Sequence, residues 1–405
     1  MSLLTAAEMR AVDLATIAAG TAGVQLMQRA GDGVAECLER HWGSPLALRV
    51  LVLAGGGNNG GDGFVAARAL AARGARVEVA VCAPRERIGG DARTMLERLE
   101  ATDIPVRFVA DAQALAACAA KLDDWDFALD ALLGTGAEGE PRGLVLDACR
   151  LVNTLRRRGT RVLSVDLPTG VGTDDGGAAP DAVHADLTVT FGHPRRGHWL
   201  WPGRGLRGEL DIVDIGLIAP ERAGVQPVDL ASARELAPLV PVRDPRAHKG
   251  STGRVLIVGG APGMTGALVL AAEAAARSGA GYVRVAAPAS LQTILAAQLV
   301  EPMVLACGED ERRTLTSTAL ELILSEAERA NAVALGSGMS RNPHAAALAR
   351  ELATRLAKPL VLDADALDAL SPAADVLVPA LRLARAHRIL TPHLGEMHLL
   401  TVMTT

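Results

Sequence analysis

The chain has 405 residues, 49% of them hydrophobic and 21% charged, which is enough for two or three domains with real cores and excludes a disordered polymer. A net charge of −5 and an aromatic content of 2% argue against a nucleic-acid partner, which needs basic patches or stacking platforms. Five scattered cysteines without a C-x-x-C read as reduced core thiols, and no apolar run approaches the length of a membrane span.

Two helices, residues 5–18 and 23–40, are expected first. Glu8, Arg10 and Asp13 interrupt the apolar pattern of the first, so it reads as amphipathic and not as a signal peptide, and the cytoplasm is the expected compartment. A strand over 51–54 then runs into Gly55-Gly56-Gly57-Asn58-Asn59-Gly60-Gly61-Asp62-Gly63, a glycine-rich loop. An alanine-rich helix is expected immediately after it, with Phe64, Val65, Ala66, Ala67 and Leu70 on its apolar face. Glycine admits positive φ and close ligand approach, and a helix N-terminus offers free N–H groups to an anion. The loop therefore reads as a cradle for a phosphorylated ligand, with Asn58, Asn59 and Asp62 adding polarity that a plain phosphate loop does not need. Its G-x-G-x-x-G, Gly55, Gly57 and Gly60, admits a dehydrogenase. That reading calls for an acidic residue ending the second strand, and the strand over 76–81 runs into Cys82-Ala83-Pro84 instead.

Further strands are expected at 125–130, 161–166, 187–191 and 210–213, with helices such as 91–99 and 146–157 between them. This alternation builds a parallel sheet, which the N-terminal helical pair would cover. The pattern closes near Ile215-Gly216-Leu217, and a segment rich in Pro, Ala and Arg follows. The expected division is a first domain over 1–225, a linker over 226–243 and a second domain over 244–405. The second domain opens with His248-Lys249-Gly250, a strand over 254–258, a glycine-rich turn over 259–267 and a helix over about 265–278. A strand over 281–287 follows, and then short apolar strands at 332–336, 359–363 and 388–390. These last run out into Gly336-Ser337-Gly338, Asp363-Ala364-Asp365 and Thr391-Pro392-His393. Ligands of open α/β sheets sit outside the carboxyl ends of the strands, where every one of these polar clusters lies.

Three strand ends of the first domain carry the chemistry. Asn58 and Asn59 follow the first strand, Asp130 ends the third and Asp166 the fourth, with Gly134-Thr135-Gly136 and Pro168-Thr169-Gly170 beyond. The Asn59 amide oxygen, the Asp130 carboxylate and the Thr169 hydroxyl are hard donors, suited to Na⁺, K⁺ or Mg²⁺ and not to a transition metal. Asn, Asp and Gly also supply ordinary turns and caps, which is the plainer account of any one of these loops. Three on one sheet favour a site.

The blocks Gly57 to Gly63, Leu129-Asp130-Ala131-Leu132-Leu133-Gly134-Thr135-Gly136 and Val165-Asp166-Leu167-Pro168-Thr169-Gly170 resemble the YjeF N-terminal domain, the NAD(P)H-hydrate epimerase family. Ala185 to Gly192 and Val213-Asp214-Ile215-Gly216 extend the resemblance over about the first 217 residues. His248-Lys249-Gly250, Gly263-Met264-Thr265-Gly266-Ala267, Leu335-Gly336-Ser337-Gly338, Leu362 to Leu367 and Leu390-Thr391-Pro392-His393 resemble the ADP/ATP-dependent NAD(P)H-hydrate dehydratases. That domain is ribokinase-like and is fused to the epimerase in many bacteria.

The resemblance implies an α/β protein with a Rossmann-like, three-layer first domain and an incomplete ribokinase-like second domain. It implies metabolite repair of hydrated NADH and NADPH, with epimerisation of the R and S hydrates (NADHX and NADPHX) in the first domain. Asp166 is the expected catalytic residue. Substrate would be held by Asn58, Asn59, Gly60, Gly61 and Asp62, by Gly134, Thr135, Gly136, Ala137, Glu138, Gly139 and Glu140, and by Asp166. A K⁺ ion would be held by Asn59, Asp130 and Thr169, where Thr replaces the more usual Ser without losing the hydroxyl. The dehydratase resemblance implies ADP or ATP as co-substrate, with Mg²⁺ admitted, and Ala267, Gly338 and His393 on the substrate side. Leu394 stands where the family usually has Pro. A late Gly-Ser-Gly-Asp loop is also expected well after the Thr-Pro-His block, whereas this sequence has no Asp after Asp375. The second domain is therefore expected to be inactive in this chain. A homo-oligomer is expected. The alternatives are a non-catalytic nucleotide-binding or scaffold module, which would not need the Asn-Asn-Gly-Gly-Asp loop with Asp130 and Asp166, and a small-molecule kinase for the second domain, which the His-Lys-Gly and Thr-Pro-His blocks fit less well.

Overall fold

Strands, the central ones buried on both faces, alternate with helices through most of the described residues, and this alternation sets the architecture. The computed structural model describes residues 1–119, 125–137, 139–371, 381–382 and 384–401, in two units, Met1–Leu239 and Val240–Thr405. The first begins with β1 (Ser2–Leu3), α1 (Ala6–Ala18) and α2 (Gly23–Trp42). It continues through β2 (Arg49–Ala54), α3 (Asn58–Ala72), β3 (Arg76–Val81), α4 (Gly90–Glu100), β4 (Val106–Phe108) and α5 (Ala112–Ala119). Then come β5 (Phe127–Ala131), α6 (Gly143–Arg157), β6 (Arg161–Val165), β7 (Leu187–Phe191) and β8 (Glu209–Val213). α1 starts on a reciprocal cap: the Glu8 N–H donates to Thr5 Oγ1 at 3.2 Å and the Thr5 N–H to Glu8 Oε2 at 2.7 Å.

The seven strands β2 to β8 form one parallel sheet in the order β4-β3-β2-β5-β6-β7-β8. Successive residues of β2 feed opposite cores, as a period of two requires. Val50, Val52 and Ala54 pack with α2, α3 and α4, while Leu51 and Leu53 pack with α5 and α6. The result is the expected three-layer α/β unit. β9 (Val228–Asp229) returns to pair antiparallel with β1, and α7 (Ala233–Leu236) follows it. The stretch 226–239 is thus part of the first unit.

The second unit comprises β10 (Arg254–Val258), α8 (Thr265–Arg277), β11 (Tyr282–Pro288), α9 (Gln292–Gln298), β12 (Met303–Cys307) and α10 (Leu320–Glu328). It goes on through β13 (Ala332–Leu335), α11 (Pro343–Arg355), β14 (Leu360–Leu362), α12 (Asp365–Leu370), β15 (Arg388–Leu390) and a helix at Leu394–Thr401. Its six strands are parallel, in the order β12-β11-β10-β13-β14-β15. In the two parallel sheets, the strands that periodicity does not anticipate, β4 and β12, are both edge strands, half-exposed and with one neighbour each. The five cysteines are buried and unbridged, as expected. Among the described residues no helix is long and apolar enough to cross a membrane.

The glycine-rich stretch differs from expectation in an informative way. α3 starts at Asn58 with Gly57 as its N-cap, so Asn58 to Gly63 form its first turns and not a loop. None of the six glycines has positive φ. What the fold requires of five of them, all but Gly57, is the missing Cβ, because another atom lies within 3 Å of where it would be. A Cβ on Gly60 would sit 2.0 Å from the Gly55 carbonyl oxygen, and one on Gly63 2.5 Å from Ala131 Cβ. Gly60→Ala should accordingly destabilise the protein by about 1–3 kcal/mol, the usual cost of overpacking. Gly57→Ala, whose Cβ meets nothing within 4 Å, should cost less than about 1 kcal/mol. Urea unfolding of both variants decides this, and equal losses would show that close packing is not the reason for Gly60.

Candidate functional site

After β4 the chain returns to lay β5 against the other side of β2, so the strand order reverses between β2 and β5. Helices leave the two strands in opposite directions there, and a crevice opens at their carboxyl ends. A cavity of about 710 Å³ occupies it. One wall comes from the sheet: Asn59 and Asp62 at the start of α3, the segment 132–137 after β5, Asp166 after β6 and Arg195 after β7. The other wall is helical, with Met9, Arg10, Asp13 and Ile17 on one stripe of α1.

Asp166 is the centre of the sheet wall. It is buried and holds a left-handed backbone, φ +66°, which is uncommon for a residue other than glycine and which Asp and Asn tolerate best. Its N–H donates to the Val189 carbonyl at 2.7 Å, and its own carbonyl accepts from His198 Nε2 at 2.7 Å. His198 Nδ1 accepts the Arg195 N–H at 2.8 Å, so the imidazole proton resides on Nε2. Burial, reinforced by the Arg195 charge, pushes the His198 pKa down to about 4; this ring is a neutral strut.

The Asp166 carboxylate accepts four hydrogen bonds. Oδ2 takes the Thr135 N–H at 2.8 Å and the Thr135 hydroxyl at 2.6 Å. Oδ1 takes the Thr190 hydroxyl at 3.1 Å and Arg195 Nη2 at 2.9 Å. Arg195 is itself 3% exposed and also donates from Nε to Thr135 Oγ1 at 2.7 Å. Burial, the largest single influence on Asp166, acts to raise its pKa, but the Arg195 charge and the two Thr135 hydrogen bonds together outweigh it. The carboxyl is held below the ordinary carboxylate range, ionised, with every lone-pair direction taken.

Asp130, at the end of β5, is fully buried. It accepts the Thr169 hydroxyl at 2.6 Å, the Thr169 N–H at 2.9 Å and the Ser164 hydroxyl at 2.9 Å. These neutral donors do not offset burial, which pushes its pKa up. Thr169 Oγ1 in turn accepts the Leu133 N–H at 3.1 Å. Asn59 is buried with both side-chain polar atoms lacking a partner. Its Oδ1 and Asp166 Oδ2 lie 2.9 and 2.8 Å from the position a Cβ on Gly134 would occupy. Asn59, Thr169, Asp130 and Asp166 thus meet around the segment Leu133–Gly134.

Of the residues singled out by sequence, Asn58, Asn59, Asp62, Gly134, Thr135, Gly136, Ala137 and Asp166 line the cavity. Gly60 and Gly61 do not; they pack against the Gly55 backbone and Met27. Gly139 and Glu140 are exposed and lie off the cavity wall, and Glu138 lies outside the described residues. Sequence reasoning missed Arg195, His198, Thr190 and Asp13. Arg195 and His198 had a signal, since Gly192-His193-Pro194-Arg195-Arg196-Gly197-His198 is one more polar cluster at a strand end.

The second unit reverses its strand order between β10 and β13. Here the Gly260 N–H donates to the Ser337 carbonyl at 3.1 Å. A Cβ on Gly338, whose φ is +61°, would lie 3.3 Å from Ala267 Cβ, so Ala267 and Gly338 are neighbours. His393 is exposed two strands away, beyond β15, with Nδ1 accepting the Gly395 N–H at 3.1 Å. The intervening loops are tied together: the Ser340 N–H donates to Asp365 at 2.7 Å and the Thr391 hydroxyl to Asp363 at 2.8 Å.

The chain has clear relatives. The family described as "YjeF-related protein N-terminus" matches residues 23–197 and that described as "NAD(P)H-hydrate dehydratase" matches residues 255–405. A bifunctional NAD(P)H-hydrate repair enzyme of Moorella thermoacetica is 38% identical over 403 residues, covering 98% of this chain and 74% of the relative. One from Salinibacter ruber is 37% identical over 409 residues, covering 97% and 74%. Among solved structures, an ADP/ATP-dependent NAD(P)H-hydrate dehydratase of Bacillus subtilis overlaps 42% of this chain and 55% of its own, at 22% identity and a TM-score of 0.31.

The neutral His198 strut has a consequence for stability. Its folded pKa of about 4 lies below its ordinary 6.5, so below pH 6.5 the unfolded chain binds a proton that the folded one does not. The stability associated with this residue is complete above pH 6.5 and is lost as pH falls towards 4, by about 3 kcal/mol in all. His198→Gln should abolish this part of the pH dependence. Unfolding free energies measured from pH 7.5 to 4 should therefore converge for variant and parent, and parallel curves would mean that His198 does not titrate in this way.

Proposed function

The chain belongs to the family of bifunctional NAD(P)H-hydrate repair enzymes, with an epimerase domain and a dehydratase domain, and we propose that its first unit interconverts the R and S hydrates of NADH and NADPH at the cavity around Asp166. The epimerase is assigned to 1–225 and the dehydratase domain to 244–405, with the stretch expected as a linker, 226–243, packing with the first unit as far as Leu239.

Hydration leaves a hydroxyl on the ring carbon next to the nicotinamide nitrogen. The nitrogen lone pair can expel that oxygen as water, which leaves a cationic iminium carbon, and water returning to the other face inverts the centre. The observation that carries the reading is Asp166: a buried carboxylate, ionised and locked by Arg195, Thr135 and Thr190 on the cavity wall. A preorganised negative charge in a water-poor site stabilises a developing cation without having to reorganise. The start of α3, at Asn58, suits the substrate's phosphates.

A K⁺ ion fits between Asn59, Asp130 and Thr169. The buried Asn59 amide lacks a partner and the buried Asp130 carboxylate has only neutral donors. A bound cation would neutralise Asp130 and satisfy Asn59, fixing the segment 133–137 that carries Thr135. In the second unit, the paired positions Ala267 and Gly338 at the strand reversal are assigned to the substrate side of a dehydratase that uses ADP or ATP, and His393 is assigned with them from the family pattern.

Asp166→Asn keeps a residue that tolerates left-handed φ but strands the Arg195 charge at a cost of about 3–5 kcal/mol, and the protein that remains folded should lose epimerisation by about a hundredfold or more. An assay following the two hydrate epimers by chromatography measures this, and unchanged turnover would remove Asp166 from the mechanism. K⁺ should raise the melting temperature and the rate relative to tetramethylammonium, and Asp130→Ala should abolish the difference. Identical behaviour in the two salts would show that these oxygens only cap and turn.

A further inference from the structure

We infer that Asp13 and Asp62 are the proton-handling pair of the epimerase site, one on each wall of the cavity, with Asp166 as the fixed counter-charge within reach of both. The inference rests on the epimerase reading. It starts from a shortage: the reaction must give a proton to a departing hydroxyl and take one from an incoming water, and Asp166 is poorly made for either. All four of its lone-pair directions accept hydrogen bonds, and Arg195 opposes its protonation. A carboxyl that exchanges protons needs a free oxygen facing the substrate.

Three carboxyls of the cavity, Asp13, Asp62 and Asp91, take no hydrogen bond or ion pair among the described residues, and of these Asp13 and Asp62 are the two that feel the charge of Asp166. Asp13 projects from the helical wall, on the α1 stripe with Met9, Arg10 and Ile17, and Asp62 from the start of α3 on the sheet wall. Asp13 is faced by Arg10 on its own helix, by Arg195 and Asp166 from the strand ends, by Asp62 from α3 and by Asp91 from α4. Asp62 is in electrostatic reach of Asp166 and Asp13. A ring bound between the walls presents one face to each carboxyl. Their environments differ in a way that suits opposite tasks. Burial first, then the charges of Asp166 and Asp13, push Asp62 well above its ordinary value, towards the protonated form. Burial raises Asp13 only to about 6, with the Arg195 charge acting against it, so it is ionised at neutral pH.

In one direction Asp62 gives its proton to the ring hydroxyl. The C–O bond breaks with its electron pair on oxygen, and water leaves as the nitrogen lone pair forms the C=N⁺ bond beside Asp166. A water on the opposite face adds its oxygen to the same carbon, the C=N electrons return to nitrogen, and Asp13 takes the released proton. The reverse epimerisation passes the proton from Asp13 back to Asp62. Exchange with solvent resets the pair after a one-way turnover.

Asp13→Asn and Asp62→Asn should each lower kcat by about a hundredfold or more, with KM for the hydrate changed by no more than a few fold. Below pH about 6 the wild-type kcat should fall with pH, and Asp13→Asn should lack this limb while Asp13→Glu restores part of the rate. Asp13→Asn should melt no lower than wild type at pH 8, because it removes a charge that burial disfavours; this separates proton transfer from a structural role. Wild-type kcat and pH profile in Asp13→Asn overturn the inference while leaving the epimerase reading intact, whereas a wild-type protein that interconverts no epimers removes the reading itself. Should Asp62→Asn fail to fold, the wild-type profile still decides: no break near pH 6 overturns the pair.

Discussion

The first unit depends on one buried ion pair. Arg195 and Asp166 are both removed from water, and taking one partner away from such a pair typically costs about 3–5 kcal/mol because it strands the other charge. The pair persists because the surroundings engage all three guanidinium nitrogens and both carboxylate oxygens. Thr135, Thr190 and the His193 carbonyl occupy the remaining donor and acceptor positions, and His198 bridges the Arg195 and Asp166 backbones from behind. Through these contacts the ends of β6 and β7 and the loop after β5 become a single rigid surface. The left-handed φ of Asp166 is tolerable only inside such a frame.

Both units present their polar loops at the same topological place. In each, the first strand laid down has its neighbours added on one side and then on the other, as β2 and β10 show. The crevice that results lies at the carboxyl ends of β2 and β5 in one unit and of β10 and β13 in the other. The two differ in how the crevice is finished. In the first unit α1 comes from the far end of the chain segment to build a second wall, anchored by the β1–β9 pair and by the bond from the Ile218 N–H to the Thr16 hydroxyl. In the second, cross-ties from Ser340 to Asp365 and from Thr391 to Asp363 link loops of successive strands.

What the sequence discloses and what it hides follow from the range of the interactions. β2 and β10 are legible because each is a continuous apolar run ended by glycine, and β3 and β7 because apolar residues alternate along them up to Cys-Ala-Pro or Gly192, a local signal. Asp130 and Asp166 are legible because they stand at the ends of such runs. The start of α3 at Asn58 is hidden because glycine is a poor helix former on any local scale; only the sheet beneath, through the Gly55 carbonyl and Ala131, explains its presence. Arg195 and His198 are half-hidden: they sit in a polar cluster at a strand end, but the partner that gives them meaning, Asp166, lies 29 residues away from the first, and the cluster alone does not tell the buried Arg195 from its neighbour Arg196. Asp13 reads as a polar interruption of an amphipathic helix until the helix is seen to face a cavity.

Asp130 and Asp166 end neighbouring strands, both are buried, and both accept several hydrogen bonds, yet their pKa values move in opposite directions. The number of hydrogen bonds does not separate them, since each carboxylate is well supplied. What separates them is that one of the Asp166 donors is a full positive charge, whereas those to Asp130 are hydroxyls and amides. Desolvation of a carboxylate is offset far more by a cation than by dipoles. A fold that keeps Asp130 ionised must therefore bring a positive charge from outside the chain, and the unpartnered Asn59 amide beside the Leu133–Gly134 segment marks where that charge can be received. On the proposed reading, the protein supplies its own cation to one aspartate and leaves the other for an ion.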